Sequence, residues 1–329
     1  MNFLIYGAGA LGQAIGCMLS ASGQHVDLIL RDRFQKAISE KGLSVKGIFG
    51  THTAAPRTLG LYTNIRQTCK TYDYVLITTK SYDTEFAVNE IDTLAHRALS
   101  IVSMQNGCGN LEKLVNTFGS PRSLGARVIT GFEIITPGIV NITVSADSIH
   151  IGSSQKGTVT GEADRLVDCI KNAGHPCEAV EDIHQSLFAK LLYNCTLNPL
   201  GAILGVHYGA LVEKEETRQI MDQVIEETFD VIHALGGKTP WPDARAYKNI
   251  FYETLIPATY NHRPSMLQDI EAGKPTEVDS LIGYVSRQGK QYNISTPTCD
   301  MLTALVQFKE SRTGKNTDSP PSQTNGLSS

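Results

Sequence analysis

NFLIYGAGALG, residues 2–12, opens on a short, largely apolar run of five residues followed at once by the spacing G-x-G-x-x-G. The run is short, rich in large apolar side chains and closed by Gly7, as expected of a buried parallel strand. After it Leu11, Ile15, Met18 and Leu19 recur at helical spacing. A strand, a glycine turn and a helix in that order form the start of a dinucleotide-binding βαβ unit. Each glycine has its own reason. Gly7 permits the tight turn, Gly9 lets the backbone approach a pyrophosphate, and Gly12 lets the helix pack close to the strand. The pyrophosphate is then held along Gly7, Ala8, Gly9, Ala10, Leu11 and Gly12, on N–H groups at the helix N-terminus where the dipole favours negative charge. A glycine turn without a ligand is the blander alternative.

Outward from this unit the pattern repeats. Residues 25–30, 74–78 (YVLIT) and 100–104 (SIVSM) are further short apolar runs, separated by helical segments. Such alternation predicts a parallel, doubly wound sheet. Residues 42–64, rich in Gly and Thr, read as an irregular meander. Period-2 stretches at 127–130, 139–144 and 148–151 read as antiparallel strands extending the sheet, and a helix (162–173) and a strand (177–180) complete the first domain. Beyond residue 182 helical periodicity takes over, at 184–198, 211–235, 243–256, 264–272 and 276–291. The expected organisation is therefore an α/β domain over 1–182, an all-α domain over 183–310, and a polar tail over 311–329 that buries too little to order itself.

Composition bounds the function. The chain has 329 residues, 41% hydrophobic and 19% charged, with a formal net charge of −4. This is ordinary globular composition, and it gives no field for holding nucleic acid or an anionic membrane. No apolar run reaches the ~18–20 residues of a membrane span, and the N-terminus enters a strand with no basic leader. Seven cysteines without a C-x-x-C pair read as reduced thiols of a cytoplasmic protein. Nine scattered histidines offer no zinc spacing, so no metal is expected. The stripe Ile220, Val224, Ile225, Phe229 and Ile232 is either the core of the helical domain or a homodimer face.

Four further clusters carry polar chemistry. The second strand ends Leu30-Arg31-Asp32, where an NAD enzyme places a carboxylate for the ribose 2′-hydroxyl. Arg31 suits a 2′-phosphate and favours NADP, whereas Asp32, one residue on, would be the NAD carboxylate. Lys190, Asn194 and Asn198 fall at i, i+4 and i+8 on an otherwise apolar segment that Pro199 and Gly201 should end. Polar groups in such a stripe need partners or a ligand, the alternative being a solvated helix face. Gln105-Asn106-Gly107 and Lys80 follow two of the strands, at the carboxyl edge where ligands sit in doubly wound sheets, although Asn-Gly is also an ordinary turn. Residues 265–284 place Asp269, Glu271, Glu277 and Asp279 among apolar positions, and periodicity does not single out one of them.

Together, G-x-G-x-x-G at 7–12, Thr79-Lys80, Gln105-Asn106-Gly107, Lys190-x-x-x-Asn194-x-x-x-Asn198-Pro199, Ser265-x-x-x-Asp269 and Thr276-Glu277-Val278-Asp279 resemble the ketopantoate reductase family over residues 2–308. The resemblance implies a Rossmann domain followed by a helical domain similar to the C-terminal domain of 6-phosphogluconate dehydrogenase. It implies cytoplasmic, NADPH-dependent reduction of 2-dehydropantoate to (R)-pantoate on the route to pantothenate and coenzyme A. In that family the residue matching Lys190 is the general acid, and that matching Glu277 helps hold the lysine, the substrate and the cofactor. Those matching Asn106, Asn194, Asn198 and Ser265 bind substrate. Lys80 and Asn106 line the cofactor cleft, and Arg31 reads the 2′-phosphate. The chemistry is consistent: hydride addition to a ketone builds charge on oxygen, which a positioned ammonium stabilises and protonates. A reductase of another 2-oxo acid on the same scaffold is the alternative, and a nucleotide sensor that has lost catalysis is a third reading.

Overall fold

A computed structural model describes residues 1–313. They form two compact units, 1–191 with 236–240, and 192–235 with 241 onward. The first unit runs β1 (Asn2–Tyr6), α1 (Ala10–Ala21), β2 (His25–Ile29), α2 (Asp32–Lys41), β3 (Leu43–Gly47), β4 (His52–Ala54), β5 (Leu59–Tyr62) and β6 (Tyr72–Ile77). It continues with α3 (Thr84–Asp92), β7 (Ala98–Ser103), α4 (Asn110–Phe118), β8 (Ser123–Arg127), β9 (Thr130–Thr136), β10 (Ile139–Ser145), β11 (Ile149–Ser153), α5 (Gly161–Asn172) and β12 (Cys177–Ala179). Helix α6 (Ile183–Leu204) follows, and the two units part inside it.

Eight strands form the main sheet in the order β12-β11-β8-β7-β6-β1-β2-β5. Every neighbouring pair is parallel except β11 against β8. Strand β1 is an interior strand, flanked by β6 and β2, and both its faces are covered. Phe3 and Ile5 pack with Ile15 and Leu28 on one side, while Leu4 and Tyr6 pack with Ile77, Val88, Ile91 and Leu114 on the other. This is why residues 3–6 are continuously apolar instead of alternating. Each such side chain, taken out of water, stabilises the fold by roughly 1.5–3 kcal/mol.

The meander expected at 42–64 is in fact three strands. β3 and β4 join β10 and β9 in a separate four-stranded sheet, order β4-β3-β10-β9, while β5 pairs in parallel with β2. The period-2 stretch 121–152 is thus divided: β8 and β11 extend the main sheet, β9 and β10 do not. Pairing such as Val140 with Val45 joins segments far apart in sequence. Local periodicity reports that a residue is extended, not which strand it will meet. The second sheet covers the free side of α1, which is therefore buried from Gly12 through Ser20.

The second unit contains the rest of α6, then α7 (Tyr208–Leu211), α8 (Glu215–Ala234), α9 (Ala244–Ile250), a π-helical turn (Phe251–Leu255), α10 (Ile256–Ala258), α11 (Ser265–Glu271), α12 (Ile282–Tyr292) and α13 (Pro297–Thr313). Pro199 does not end α6. It removes one backbone donor, but the buried Leu197, Leu200 and Ala202 around it hold the helix to Leu204. Gly205, in the left-handed region, ends it by returning its N–H to the Gly201 carbonyl. Val224, Ile225, Phe229 and Ile232 are buried in the unit's own core, with Ile220 half-buried beside them. The expected tail from 311 begins inside α13, and beyond Thr313 it lies outside the described residues.

Helix α13 depends on a buried carboxylate. Glu227, on α8, is 9% exposed and accepts from the Thr298 and Cys299 N–H groups at 2.9 and 2.8 Å. It satisfies two donors that the first turn of any helix leaves unpaired. Glu227→Ala is expected to lower stability by about 2–3 kcal/mol in urea unfolding of the full chain, since buried donors lose a charged acceptor. A loss under about 0.5 kcal/mol, the level of an ordinary surface change, would mean this cap carries no weight. All seven cysteines are free, six of them buried, and burial pushes Cys17 and Cys177 up to about 12. Such thiols stay protonated and inert at neutral pH. No helix among the described residues is long and apolar enough to cross a membrane.

Candidate active site

The expected site residues divide between the units: Gly7–Gly12, Arg31, Lys80, Asn106 and Lys190 in the first, Asn194, Asn198, Ser265 and Glu277 in the second. In the first unit the glycine turn joins β1 to α1. Gly7 has φ +112°, which only glycine adopts without strain, and its N–H donates to the Ile29 carbonyl. A Cβ on Gly12 would fall inside the Gly7 carbonyl oxygen and 2.6 Å from Thr78 Oγ1, so the close approach of helix to turn demands glycine. Gly9 differs. It has φ −72°, and a Cβ there would meet no described atom within 4 Å. Protein packing therefore does not explain this glycine. Gly9 also caps α1 without a side-chain hydrogen bond, and the first turn has no acidic residue, so the helix N-terminus is left to an anion. These features fit a dinucleotide pyrophosphate.

The turn is braced from below by Gln13, a residue the sequence reading passed over as one more helix position. Completely buried, it donates through Nε2 to the Ala8 carbonyl at 2.8 Å and accepts from the Gly138 N–H at 3.0 Å. Its only sequence signal is a polar side chain inside a helix that turns out to be buried all round.

The carboxyl ends of β6 and β7 are tied together by a second amide. Gln105, buried, donates through Nε2 to Thr84 Oγ1 (2.9 Å), Thr79 Oγ1 (3.2 Å) and the Lys80 carbonyl (3.2 Å). Asn110 donates to the Asn106 carbonyl at 2.9 Å, and Gly107 and Gly109 take positive φ on either side of Cys108. The Asn-Gly step is thus both a turn and the mount for Asn106. Lys80, half-buried, leaves the end of β6 at this same edge.

Lys190 meets this edge from α6. Its Nζ donates to Asn106 Oδ1, just past β7, and to the Val128 carbonyl, just past β8. Two neutral oxygens, 84 and 62 residues away in sequence, therefore hold the ammonium at the carboxyl ends of adjacent parallel strands. Neither is a carboxylate that would take the proton. Arg31, the N-cap of α2, lies past the end of β2 with its guanidinium 3.7 Å from the Asp83 carboxylate. Asp32, exposed, occupies the first turn of α2.

In the second unit Asn194 and Asn198 are both buried on α6. Asn198 Oδ1 accepts from Tyr208 OH at 2.9 Å, so this amide serves the packing of α7 against α6. Burial pushes the Tyr208 phenol well up, which keeps it a donor. Ser265, half-buried, opens α11 directly after Pro264. Glu277, 7% exposed, precedes the 3-10 turn Val278–Ser280, and its carbonyl accepts from the Ser280 and Leu281 N–H groups. Thr276 beside it is anchored by Glu310, whose Oε1 accepts from the Thr276 N–H at 2.6 Å. These bonds fix the backbone from which the Glu277 side chain projects.

Both halves of the chain match known proteins. Residues 3–156 match the family model described as ketopantoate reductase PanE/ApbA, and residues 182–310 match its C-terminal counterpart. A 2-dehydropantoate 2-reductase of Aquifex aeolicus is 38% identical over 312 residues, 94% of this chain and 97% of that one. A PanE/ApbA family ketopantoate reductase from Ralstonia eutropha superposes with a TM-score of 0.84 at 30% identity, covering 95% of this chain and 99% of that one. The ternary structure of D-mandelate dehydrogenase with NADH and anilino(oxo)acetate also superposes, at TM-score 0.80 and 26% identity, covering 95% and 99%. With both domain models matched in order along one chain, and a glycine turn and a mounted lysine at one sheet edge, this protein belongs to the ketopantoate reductase family of oxidoreductases, the 2-dehydropantoate 2-reductases.

Proposed function

We propose that the protein reduces 2-dehydropantoate to (R)-pantoate with NADPH, with Lys190 as the general acid. The observation that carries this reading is the mounting of the Lys190 ammonium by Asn106 and the Val128 carbonyl at the sheet edge. A reduced nicotinamide, when bound, supplies the hydride that adds to the ketone carbon. The electron pair of the C=O bond moves to oxygen. The Lys190 ammonium stabilises that growing charge and passes one proton to it, so that the carbonyl becomes a hydroxyl and the lysine is left neutral until water reprotonates it. Asn106 holds Lys190 in position through the reaction. Asn194, Ser265 and Glu277 bind the substrate, and Asn198, buried against Tyr208, braces the helix that carries Asn194.

The cofactor is held by the backbone of residues 7–12 around its pyrophosphate, with Lys80 and Glu277 as further contacts. Arg31 faces the 2′-phosphate with a planar fork of donors. Arg31→Ala is expected to raise KM for NADPH by about 10–100-fold, a charge-assisted hydrogen bond being worth ~1.5–3 kcal/mol, while KM for NADH changes little. Equal weakening of both cofactors would remove Arg31 from that role.

The decisive assay follows 340 nm absorbance with NADPH or NADH against 2-dehydropantoate, pyruvate, 2-oxoisovalerate, oxaloacetate and phenylglyoxylate. Fast turnover confined to NADPH with 2-dehydropantoate supports the proposal. Turnover with another 2-oxo acid keeps Lys190 and the scaffold but discards the substrate.

A further inference from the structure

The Arg31 guanidinium already has an anion beside it. Asp83 closes the 3-10 turn Ser81–Asp83 directly after Lys80 and serves as the N-cap residue of α3. Its carboxylate lies 3.7 Å from Arg31, with the arginine side chain 71% and the aspartate 37% exposed. The charge of Asp83 is also felt by Tyr6, the last residue of β1. Burial first, then the charges of Glu90 and Asp83, push the Tyr6 phenol up to about 12. The carboxylate thus stands beside the cation assigned to the 2′-phosphate, just past the end of β2.

We propose that Asp83 is a specificity-determining residue that restrains the preference for NADPH over NADH by sharing Arg31 with the 2′-phosphate. This rests on the NADPH reading above. A guanidinium has five N–H donors in a planar fork and can serve two anions at once. The two anions still repel each other, and a phosphate monoester carries about −1.5 to −2 at neutral pH. That repulsion acts on NADPH alone. The ribose of NADH presents a neutral 2′-hydroxyl, which can donate to a carboxylate. Against the repulsion stands whatever order Asp83 imposes on the Arg31 side chain, and an exposed ion pair contributes little of that. Repulsion wins, so the carboxylate makes the site more even-handed than Arg31 alone would.

The test is Asp83→Asn, nearly isosteric and part-exposed, compared with the unaltered protein and with Arg31→Ala. The ratio of kcat/KM for NADPH to that for NADH is measured at about 0.1 M and 1 M salt. The expected result is a three- to tenfold higher ratio in Asp83→Asn at low salt. The gain should shrink at high salt, because the screening length falls from about 10 Å to 3 Å. A packing defect would carry no such salt dependence. A ratio unchanged or lowered in Asp83→Asn overturns the proposal, as does a gain that persists undiminished at 1 M salt. Arg31→Ala separates the two levels: if it collapses the ratio while Asp83→Asn leaves it alone, only the role of Asp83 is lost. An Arg31→Ala ratio equal to that of the unaltered protein overturns the 2′-phosphate reading and the inference together.

Discussion

Replacing Lys190 by alanine is expected to lower kcat for 2-dehydropantoate reduction by about 10²-fold or more, the usual worth of a positioned general acid, with NADPH still bound. In the proposed mechanism the ammonium stabilises and protonates the nascent alkoxide, and the Asn106 and Val128 oxygens hold it in place. Removing it leaves the glycine turn untouched, so NADPH affinity, read by nucleotide fluorescence, should change little. Lys190→Arg sharpens the test. It keeps the positive charge but gives up its proton only above about pH 12, so charge alone would restore binding more than turnover. Asn106→Ala should act in the same direction and more weakly, because the Val128 carbonyl remains. If Lys190→Ala turned over within about fivefold of the parent enzyme, proton donation by this residue would be wrong.

The second large effect separates two glycines of one motif. Gly12→Ala must drive a methyl group into the Gly7 carbonyl and Thr78, so α1 has to move away from the turn. Overpacking of this kind typically costs about 1–3 kcal/mol and would disorder the phosphate cradle as well. Both Tm and NADPH affinity should fall. Gly9→Ala has room, and its φ of −72° suits alanine, so Tm should stay within about 2 °C of the parent. On the proposed cofactor reading its methyl would stand where the pyrophosphate meets the backbone, and KM for NADPH should rise tenfold or more. Thermal melts and cofactor titration on the two variants make the comparison. Undiminished NADPH binding by Gly9→Ala would show that the dinucleotide does not pass over this residue.

What the sequence determined on its own is the local part of this protein. The strand over 2–6, the three glycines and the helix after them announce themselves by composition, spacing and period within about two dozen residues of sequence, so steric rules and periodicity suffice to read them. The same is true of Lys190 and Asn194, one turn apart on α6. The resemblance carried by these short motifs extended to the two-domain plan. Tertiary structure decided the rest, because it depends on which distant segments meet. β3, β4, β9 and β10 look like loop or sheet extension until they pair with each other. Gln13 and Glu227 are unremarkable helix residues until a second sheet and a distant helix end close over them. The run through Pro199 could not be anticipated, since proline propensity is a local rule and burial overrode it. Nor could the mounting of Lys190 by Asn106, 84 residues away, which only the folded sheet edge brings within reach.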